Sequence, residues 1–342
     1  MNIVLFLGAG FSAPFGLPTM NQFLEEVSRS DRITPEDREF IGQLVLEARR
    51  ANSILESSPT NLEDILSFAV MGDRLGIQED EEPRAPKVIK ILHNIYSFPK
   101  KAGKAWKSLH SFEKLINADL SKLQSNLSII TTNYDLLAEF AVFSSGAFTT
   151  LPFEYQSLTP ADNFPVLYYK NGIPLFKLHG SLNWHWIDEQ PNICVDDRIV
   201  KFRNNHDTPD LLPISYDSKH QAPDTTLIVP PTFLKPDLPE ALIITWAGAA
   251  QALQNAEIVI FIGYSFPPSD IEMKYFLAKC LADNSKLQKI RLFDLRADEI
   301  SERLKSSSSG FGSHFKDFLE PQKIQNIGWT ELSPLKYFKQ AE

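Results

Sequence analysis

The chain opens on an unbroken apolar run, Ile3-Val4-Leu5-Phe6-Leu7, whose β-branched and aromatic residues predict a strand buried on both faces. It ends in small residues, Gly8-Ala9-Gly10-Phe11-Ser12-Ala13, and Gly16-Leu17-Pro18 then forms a rigid bend. From Asn21 to residue 125 the apolar positions recur at helical spacing. Thr34 predicts an N-cap, with Pro35 at the first helical position, Asp37 in the first turn and Phe40, Ile41, Leu44, Val45 and Ala48 on one face. Thr60 to Glu63 reads as a capping box ahead of Ile65, Leu66 and Ala69. The acidic stretch Glu79 to Glu82 predicts a loop. Two more helical sets follow, Val88, Ile91, Leu92 and Ile95, then Leu109, Phe112, Leu115, Ile116, Leu120 and Leu123. A βαβ crossover normally holds one helix, so four or five of them here predict an inserted helical lobe.

Strand signals return at Leu127 to Thr132, followed by Asn133-Tyr134-Asp135 and a helical segment from Leu136 to Phe143. Asn171-Gly172 between Val166–Tyr169 and Leu175–Leu178 predicts a hairpin whose second arm ends at His179-Gly180. Ile193 to Phe202 and the polar stretch to Asp224 predict a small irregular β module, and Leu227-Ile228-Val229 a short buried strand. Regular alternation closes the chain: helix Pro239 to Asn255, strand Ile258 to Ile262, the turn Gly263-Tyr264-Ser265-Phe266, helix Asp270 to Leu281, strand Ile290 to Leu295, a helix from Ala297, and a last strand within Lys323 to Leu332. The expected fold class is α/β: a Rossmann-like parallel sheet with helices on both faces, an inserted helical lobe and a small irregular β module without zinc. Residues 1–20, 126–182 and 225–335 are assigned to the core, 21–125 to the lobe and 183–224 to the module.

Composition narrows the function classes. At 342 residues, 43% hydrophobic and 23% charged, this is a folded globular chain. A net charge of −9 argues against direct nucleic-acid binding, which rests on clustered Lys and Arg. The N-terminal apolar run lacks the length and the basic flank of a signal peptide, and no segment has the length of a membrane span. Cys194 and Cys280 form neither a disulfide framework nor a C-x-x-C knuckle, so a cytoplasmic location with no membrane partner is expected.

In an open parallel sheet, ligands bind beyond the carboxyl ends of the strands. Read off there, the sequence offers Gly8 to Ser12, Thr132 to Asp135, His179 to Ser181, Pro230-Pro231-Thr232, Gly263 to Phe266, and Asp294 to Arg296. Gly8, Gly10 and Ala13 satisfy the relaxed G-x-G-x-x-G/A spacing, although a glycine turn chosen only for positive φ accounts for those residues equally well. One sheet edge thus carries a phosphate turn, an amide, a carboxylate and an imidazole, a set suited to a phosphorylated ligand with a reacting sugar.

Taken in order, Gly8-Ala9-Gly10-x-Ser12-x-x-x-Gly16-Leu17-Pro18, Thr132-Asn133-x-Asp135, Lys177-Leu178-His179-Gly180-Ser181 and Gly263-x-Ser265 resemble the sirtuin family. The resemblance covers the core and not the helical lobe. It implies that NAD+ is bound and consumed, with Gly8, Ala9, Gly10, Ser12 and Ser265 at its phosphates and ribose, and Phe11, Thr132 and Gly263 completing the cofactor-binding set. Asn133 and Asp135 would face the nicotinamide ribose and carboxamide, His179 would be the general base, Asp294 would contact the adenosine ribose, and no catalytic metal is required.

The departures from the family sharpen the expectation. Sirtuin deacylases carry Asp-Phe-Arg where this chain has Thr19-Met20-Asn21, and a four-cysteine zinc ribbon where residues 181–230 hold only Cys194. Cys194 with His185, His206 or His220 has no zinc-site spacing. What remains resembles the sirtuin-like domain of bacterial anti-phage defence proteins, which implies hydrolysis of NAD+ to nicotinamide and ADP-ribose. A protein deacylase using the same His179, and a non-catalytic NAD or ADP-ribose binding module, are the alternatives. Constitutive NAD+ hydrolysis would be toxic, so a homo-oligomer and a separately encoded activator, such as a hexameric ATPase, are expected as partners. Blander roles stand beside these: Asn133 and Asp135 as helix cap and first-turn acid, Ser265 as a helix-start hydroxyl, Asp294 as a turn former, His179 as a structural histidine, and His185 as an aromatic surface or pocket wall. Trp106, Trp246 and Trp329 are expected to pack in cores or interfaces.

Overall fold

The computed structural model describes residues 1–54, 62–76, 83–96, 126–157, 168, 170–186, 193–195, 199–202, 210–213, 226–229, 238–267, 270–306 and 319–323. In chain order the strands are β1 (Asn2–Leu7), β2 (Asn126–Thr131), β3 (Thr149–Thr150), β4 (Tyr155–Ser157), β5 (Ile173–Lys177), β6 (Gly180–Trp186), β7 (Ile193–Val195), β8 (Ile199–Phe202), β9 (Asp210–Pro213), β10 (Thr226–Ile228), β11 (Ile258–Ile262), β12 (Lys289–Asp294) and β13 (Leu319–Lys323). The helices are α1 (Ala9–Ser12), α2 (Phe23–Arg29), α3 (Pro35–Ile54), α4 (Leu62–Leu75), α5 (Arg84–Tyr96), α6 (Leu137–Ser144), α7 (Glu240–Asn255), α8 (Ile271–Ala282) and α9 (Ala297–Lys305).

Seven strands form a wholly parallel sheet in the order β13-β12-β11-β1-β2-β5-β3. The α/β, Rossmann-like class is therefore the observed one. The chain leaves β1 for β2 on one side and later returns to β11 on the other, so the order reverses between β1 and β11. In an open α/β sheet the crevice at such a reversal is where ligands bind.

Both faces of the sheet are covered, which is why β1 is apolar at every position after Asn2. Ile3, Leu5 and Leu7 join a cluster with α2, α3, α4, α5 and the small sheet, while Val4 and Phe6 join the cluster of α7, α8 and α9. Each fully buried Leu, Ile or Phe contributes about 1.5–3 kcal/mol, so the alternation along one strand ties the two halves of the molecule together. The inserted helices thus share a continuous apolar core with one sheet face. Thr34 caps α3 as expected, its Oγ1 accepting from Asp37 N at 3.1 Å. The expected helix around Leu109 to Leu123, the capping box at Thr60, the Glu79 to Glu82 loop, Pro230 to Thr232, Trp106 and Trp329 lie outside the described residues.

Two expectations are corrected. The hairpin around Asn171-Gly172 does not form: β5 pairs in parallel with β2 and β3, and Tyr168 makes a parallel bridge to Thr149. Gly172 sits there because a Cβ would lie 2.5 Å from the Thr149 carbonyl, a close crossing rather than a two-residue turn. Leu227 and Ile228 belong to β10, which pairs antiparallel with β6 in the four-stranded sheet β10-β6-β7-β4 instead of entering the parallel sheet. Edge strand β13 covers Leu319–Lys323, and the expected last strand from Lys323 to Leu332 lies, beyond Lys323, outside the described residues.

Candidate active site

At the reversal point the turns after β1 and β11 interlock backbone to backbone. Gly8 N donates to Ile262 O at 3.0 Å, Gly10 N to Gly263 O at 2.9 Å, and Gly263 N to Phe293 O at 2.8 Å. A Cβ on Gly8 would lie 2.6 Å from Gly263 O, one on Gly10 2.8 Å from Gly263 Cα, and one on Gly263 2.3 Å from Phe11 N. Gly8 has φ −109°, so its glycine serves close approach and not a positive φ, whereas Gly263, at φ 63°, serves both. Because the N–H groups of Gly8, Gly10 and Phe11 all donate to carbonyls, these three are occupied within the fold.

A cleft of about 590 Å³ opens over these turns, within the roughly 300–1,000 Å³ range of small-molecule sites. Its lining includes ten of the twelve residues singled out above: Ala9, Gly10, Ser12, Thr132, Asn133, Asp135, His179, Gly263, Ser265 and Asp294. Gly8 and Phe11 stand behind the wall, Gly8 as the packing contact just described and Phe11 as a buried core ring. His185, expected at a surface or pocket wall, is instead buried in β6 opposite Cys194 and does not reach the cleft.

At the β2 end, polar side chains form a chain. Thr131 Oγ1 accepts from Asn133 N at 3.0 Å and donates to Leu7 O at 3.0 Å, fixing the strand exit. Asn133 Nδ2 donates to Gly8 O at 3.0 Å and to Ser12 Oγ at 3.1 Å, and Ser12 Oγ donates to Asp135 Oδ2 at 2.7 Å. A carbonyl can only accept, so Gly8 O sets the orientation of the Asn133 amide. Asp135 Oδ1 accepts from Leu137 N at 2.9 Å, but the blander roles do not hold: the N-cap of α6 is Leu136 and its first-turn acid is Glu139, in place of Asn133 and Asp135. Asp294 does act as a turn former, its Oδ1 accepting from Arg296 N at 2.9 Å, while still lining the cleft.

Burial raises the Asp135 carboxyl above the ordinary carboxylate range, with Lys177, Leu137 N–H and the Ser12 hydroxyl pulling it back. Lys177 and Glu139 are both wholly buried and form an ion pair at 2.8 Å beneath this loop. Residue-by-residue reading assigned them no role, although each is a lone charge in an apolar segment, Ile173 to Leu178 and Leu136 to Phe143, which is the available signal for a buried pair. The inserted helices also reach the cleft through Leu62 and Tyr96, and burial followed by the nearby Asp135 charge pushes the Tyr96 phenol up. Among the described residues no group of three or more His, Cys, Asp or Glu is placed to hold a metal ion, and no helix is long and apolar enough to cross a membrane.

The SIR2-like domain family model matches residues 127–309, more than half of the chain. The chain belongs to the SIR2-like domain family. The match starts in β2, so the Gly8 to Ser12 turn, which packs against Gly263, joins the cleft from outside the matched segment. Among solved structures, this SIR2-like chain is similar to Sir2Tm bound to a propionylated peptide, at 12% identity over 99% of this chain and 93% of that one with a TM-score of 0.37. It is also similar to Sir2 with a p53 peptide and NAD+, at 12% identity over 100% and 94% with a TM-score of 0.37. No curated protein matches the chain.

Proposed function

We propose that this SIR2-like chain is an NAD+ glycohydrolase that cleaves NAD+ to nicotinamide and ADP-ribose, acting as an anti-phage effector in the cytoplasm once assembly with itself and a separate activating protein turns it on. The observation that carries the reading is the shared cleft, in which the interlocked glycine turns, Asn133, Asp135 and His179 line one cavity at the reversal point of the sheet. Gly8, Gly10 and Gly263 make the close backbone packing of the cleft floor, leaving Ala9 and the rim hydroxyls of Ser265 and Thr132 to meet phosphate and ribose. Asp294 faces the adenosine ribose.

In this reading the chemistry follows from the bond. Nicotinamide leaves as a neutral molecule from a cationic ring, so no proton need be given to it, and the sugar becomes oxocarbenium-like. The protein's task is positioning and electrostatic stabilisation. Both amide hydrogens of Asn133 are taken by Gly8 O and Ser12 Oγ, so it addresses the ligand as an acceptor through Oδ1, orienting a ribose hydroxyl or the attacking water. Each Asp135 oxygen keeps a lone pair after its bond to Ser12 or Leu137 and can accept from the carboxamide. His179 accepts the proton that water loses on adding to the anomeric carbon.

The test is nicotinamide release from NAD+, with and without an acetylated peptide, by the wild type, Asn133→Ala and His179→Ala. The expected result is peptide-independent release, lowered on the order of 10²–10⁴-fold in His179→Ala. Release that requires the peptide would make the chain a deacylase, binding without release would make it a module, and unchanged variants would refute the site.

A further inference from the structure

The buried charge of Lys177 has no part in the reaction just described, yet its ammonium reaches the site's main chain. Lys177 ends β5, opposite Thr131 of β2, two residues before His179. Its Nζ donates to the carbonyl oxygens of Asp135 and of Tyr134, the latter at 3.3 Å, and to Glu139 Oε1 at 2.8 Å. An ammonium has three donors, and all three are directed at the loop and helix that follow β2. Glu139 Oε1 also accepts from Tyr168 OH at 3.0 Å, Tyr168 OH accepts from Asn183 Nδ2 at 3.1 Å, and Asn183 Oδ1 accepts from Ser181 Oγ at 2.7 Å. The network therefore runs from the cleft floor into β6 of the small sheet.

A buried ion pair adds little to stability over an apolar pair of similar volume, because desolvation offsets the attraction. Glu139 Oε2 has no hydrogen-bond partner among the described residues, so the pair is also incompletely satisfied. Geometry gives it another use. The peptide planes held by Lys177 are those of Tyr134 and Asp135, and the direction of the Asp135 side chain toward Ser12 follows from them.

We propose that Lys177, held by Glu139, is a positioning residue that fixes the Asn133-Tyr134-Asp135 loop so that Asp135 meets Ser12 and the cleft. The assignment of its consequence for turnover rests on the function proposed above. The decisive protein is the double variant Lys177→Met/Glu139→Gln, which removes both charges and keeps the volume. Lys177→Met alone leaves a buried unpaired carboxylate and is expected to unfold more easily, which the double variant should reverse.

In the double variant, the expected result is thermal unfolding near that of wild type, nicotinamide release at saturating NAD+ reduced on the order of a hundredfold, and a half-saturating NAD+ concentration nearly unchanged. Its crystal structure should show the carbonyls of Tyr134 and Asp135 turned away and the 2.7 Å contact of Ser12 with Asp135 opened. Recovery of both fold and rate would make the pair merely structural and overturn the proposal. So would a Ser12–Asp135 contact that stays closed, whether or not the wild type turns over NAD+. A wild type that releases no nicotinamide, beside a variant whose contact has opened, would refute the NAD+ glycohydrolase reading and leave the positioning role in place.

Discussion

The two ends of the cleft are built from different materials. Over β1, β11 and β12 the wall is main chain: glycine turns meet with no room for a methyl group, and their N–H groups bond to carbonyls across the reversal point. Over β2, β5 and β6 the lining side chains Asp135 and His179 stand in front of buried ionisable groups, among them Glu139, Lys177, Tyr168 and, on α5, His93. Backbone packing is indifferent to pH and intolerant of size. Buried ionisable groups are sensitive to charge. The proposed reaction would use both properties, a rigid, close approach for a phosphorylated ligand at one end and tuned groups for bond breaking at the other.

The largest effect that would test this division is acid sensitivity confined to the side-chain half. His93 on α5 is buried, and desolvation lowers its pKa from 6.5 to about 4, with a hydrogen bond to the Leu182 main chain opposing the shift. The unfolded chain then binds the proton more readily than the folded one. His93 thus contributes stability that is full above pH 6.5 and is lost as pH falls to about 4, amounting to about 3 kcal/mol for one proton. Urea unfolding of wild type and His93→Phe across that range should differ by this slope, Phe showing the shallower loss. Equal slopes would mean that His93 is accessible to protons in the folded state.

The backbone half is sharpened by two glycines of almost equal φ. A Cβ on Gly263, at φ 63°, would lie 2.3 Å from Phe11 N, while one on Gly76, at φ 59°, would meet nothing within 4 Å. Gly76→Ala carries the left-handed strain alone, about 1 kcal/mol, and Gly263→Ala adds overpacking of roughly 2 kcal/mol. The difference in urea unfolding free energy measures the interlock. Two equal values would show that the turns can separate at no cost, and the close approach would lose its structural meaning.

Much of this was legible in the sequence, for physical reasons that also explain the misses. A strand buried on both faces must be apolar throughout, so Ile3 to Leu7 and Ile258 to Ile262 announced themselves, and their ends led to the cleft. Leu227-Ile228 was equally apolar but carries no mark of its partner, and only β6 folding beside it decided its sheet. Asn171-Gly172 has hairpin chemistry, but the crossing of Thr149 made the glycine necessary. At the site, Gly8, Asn133, Asp135 and His179 could be read from strand ends. Their connection through Ser12 could not, because it joins turns far apart in the chain, nor could the tie from Lys177 to the carbonyl of Asp135, because a main-chain acceptor leaves no trace in residue identity.

The smallest expected effect bears most directly on whether the backbone half needs side chains at all. Asp270 lines the cleft as N-cap of α8, its Oδ1 accepting from Met273 N at 3.3 Å and its Oδ2 from Tyr264 OH at 2.9 Å. Tyr264 belongs to the turn that packs on Gly8, so this is the point at which a side chain could hold the interlock. Loss of an N-cap costs about 1 kcal/mol. Asp270→Ala should therefore cost about that much in urea unfolding, Asp270→Asn less, and Tyr264→Phe should show how much of it passes through the hydroxyl. If Asp270→Ala instead costs more than Gly263→Ala, the turn is held by its side chains, and the contrast between the two ends of the cleft is one of composition only.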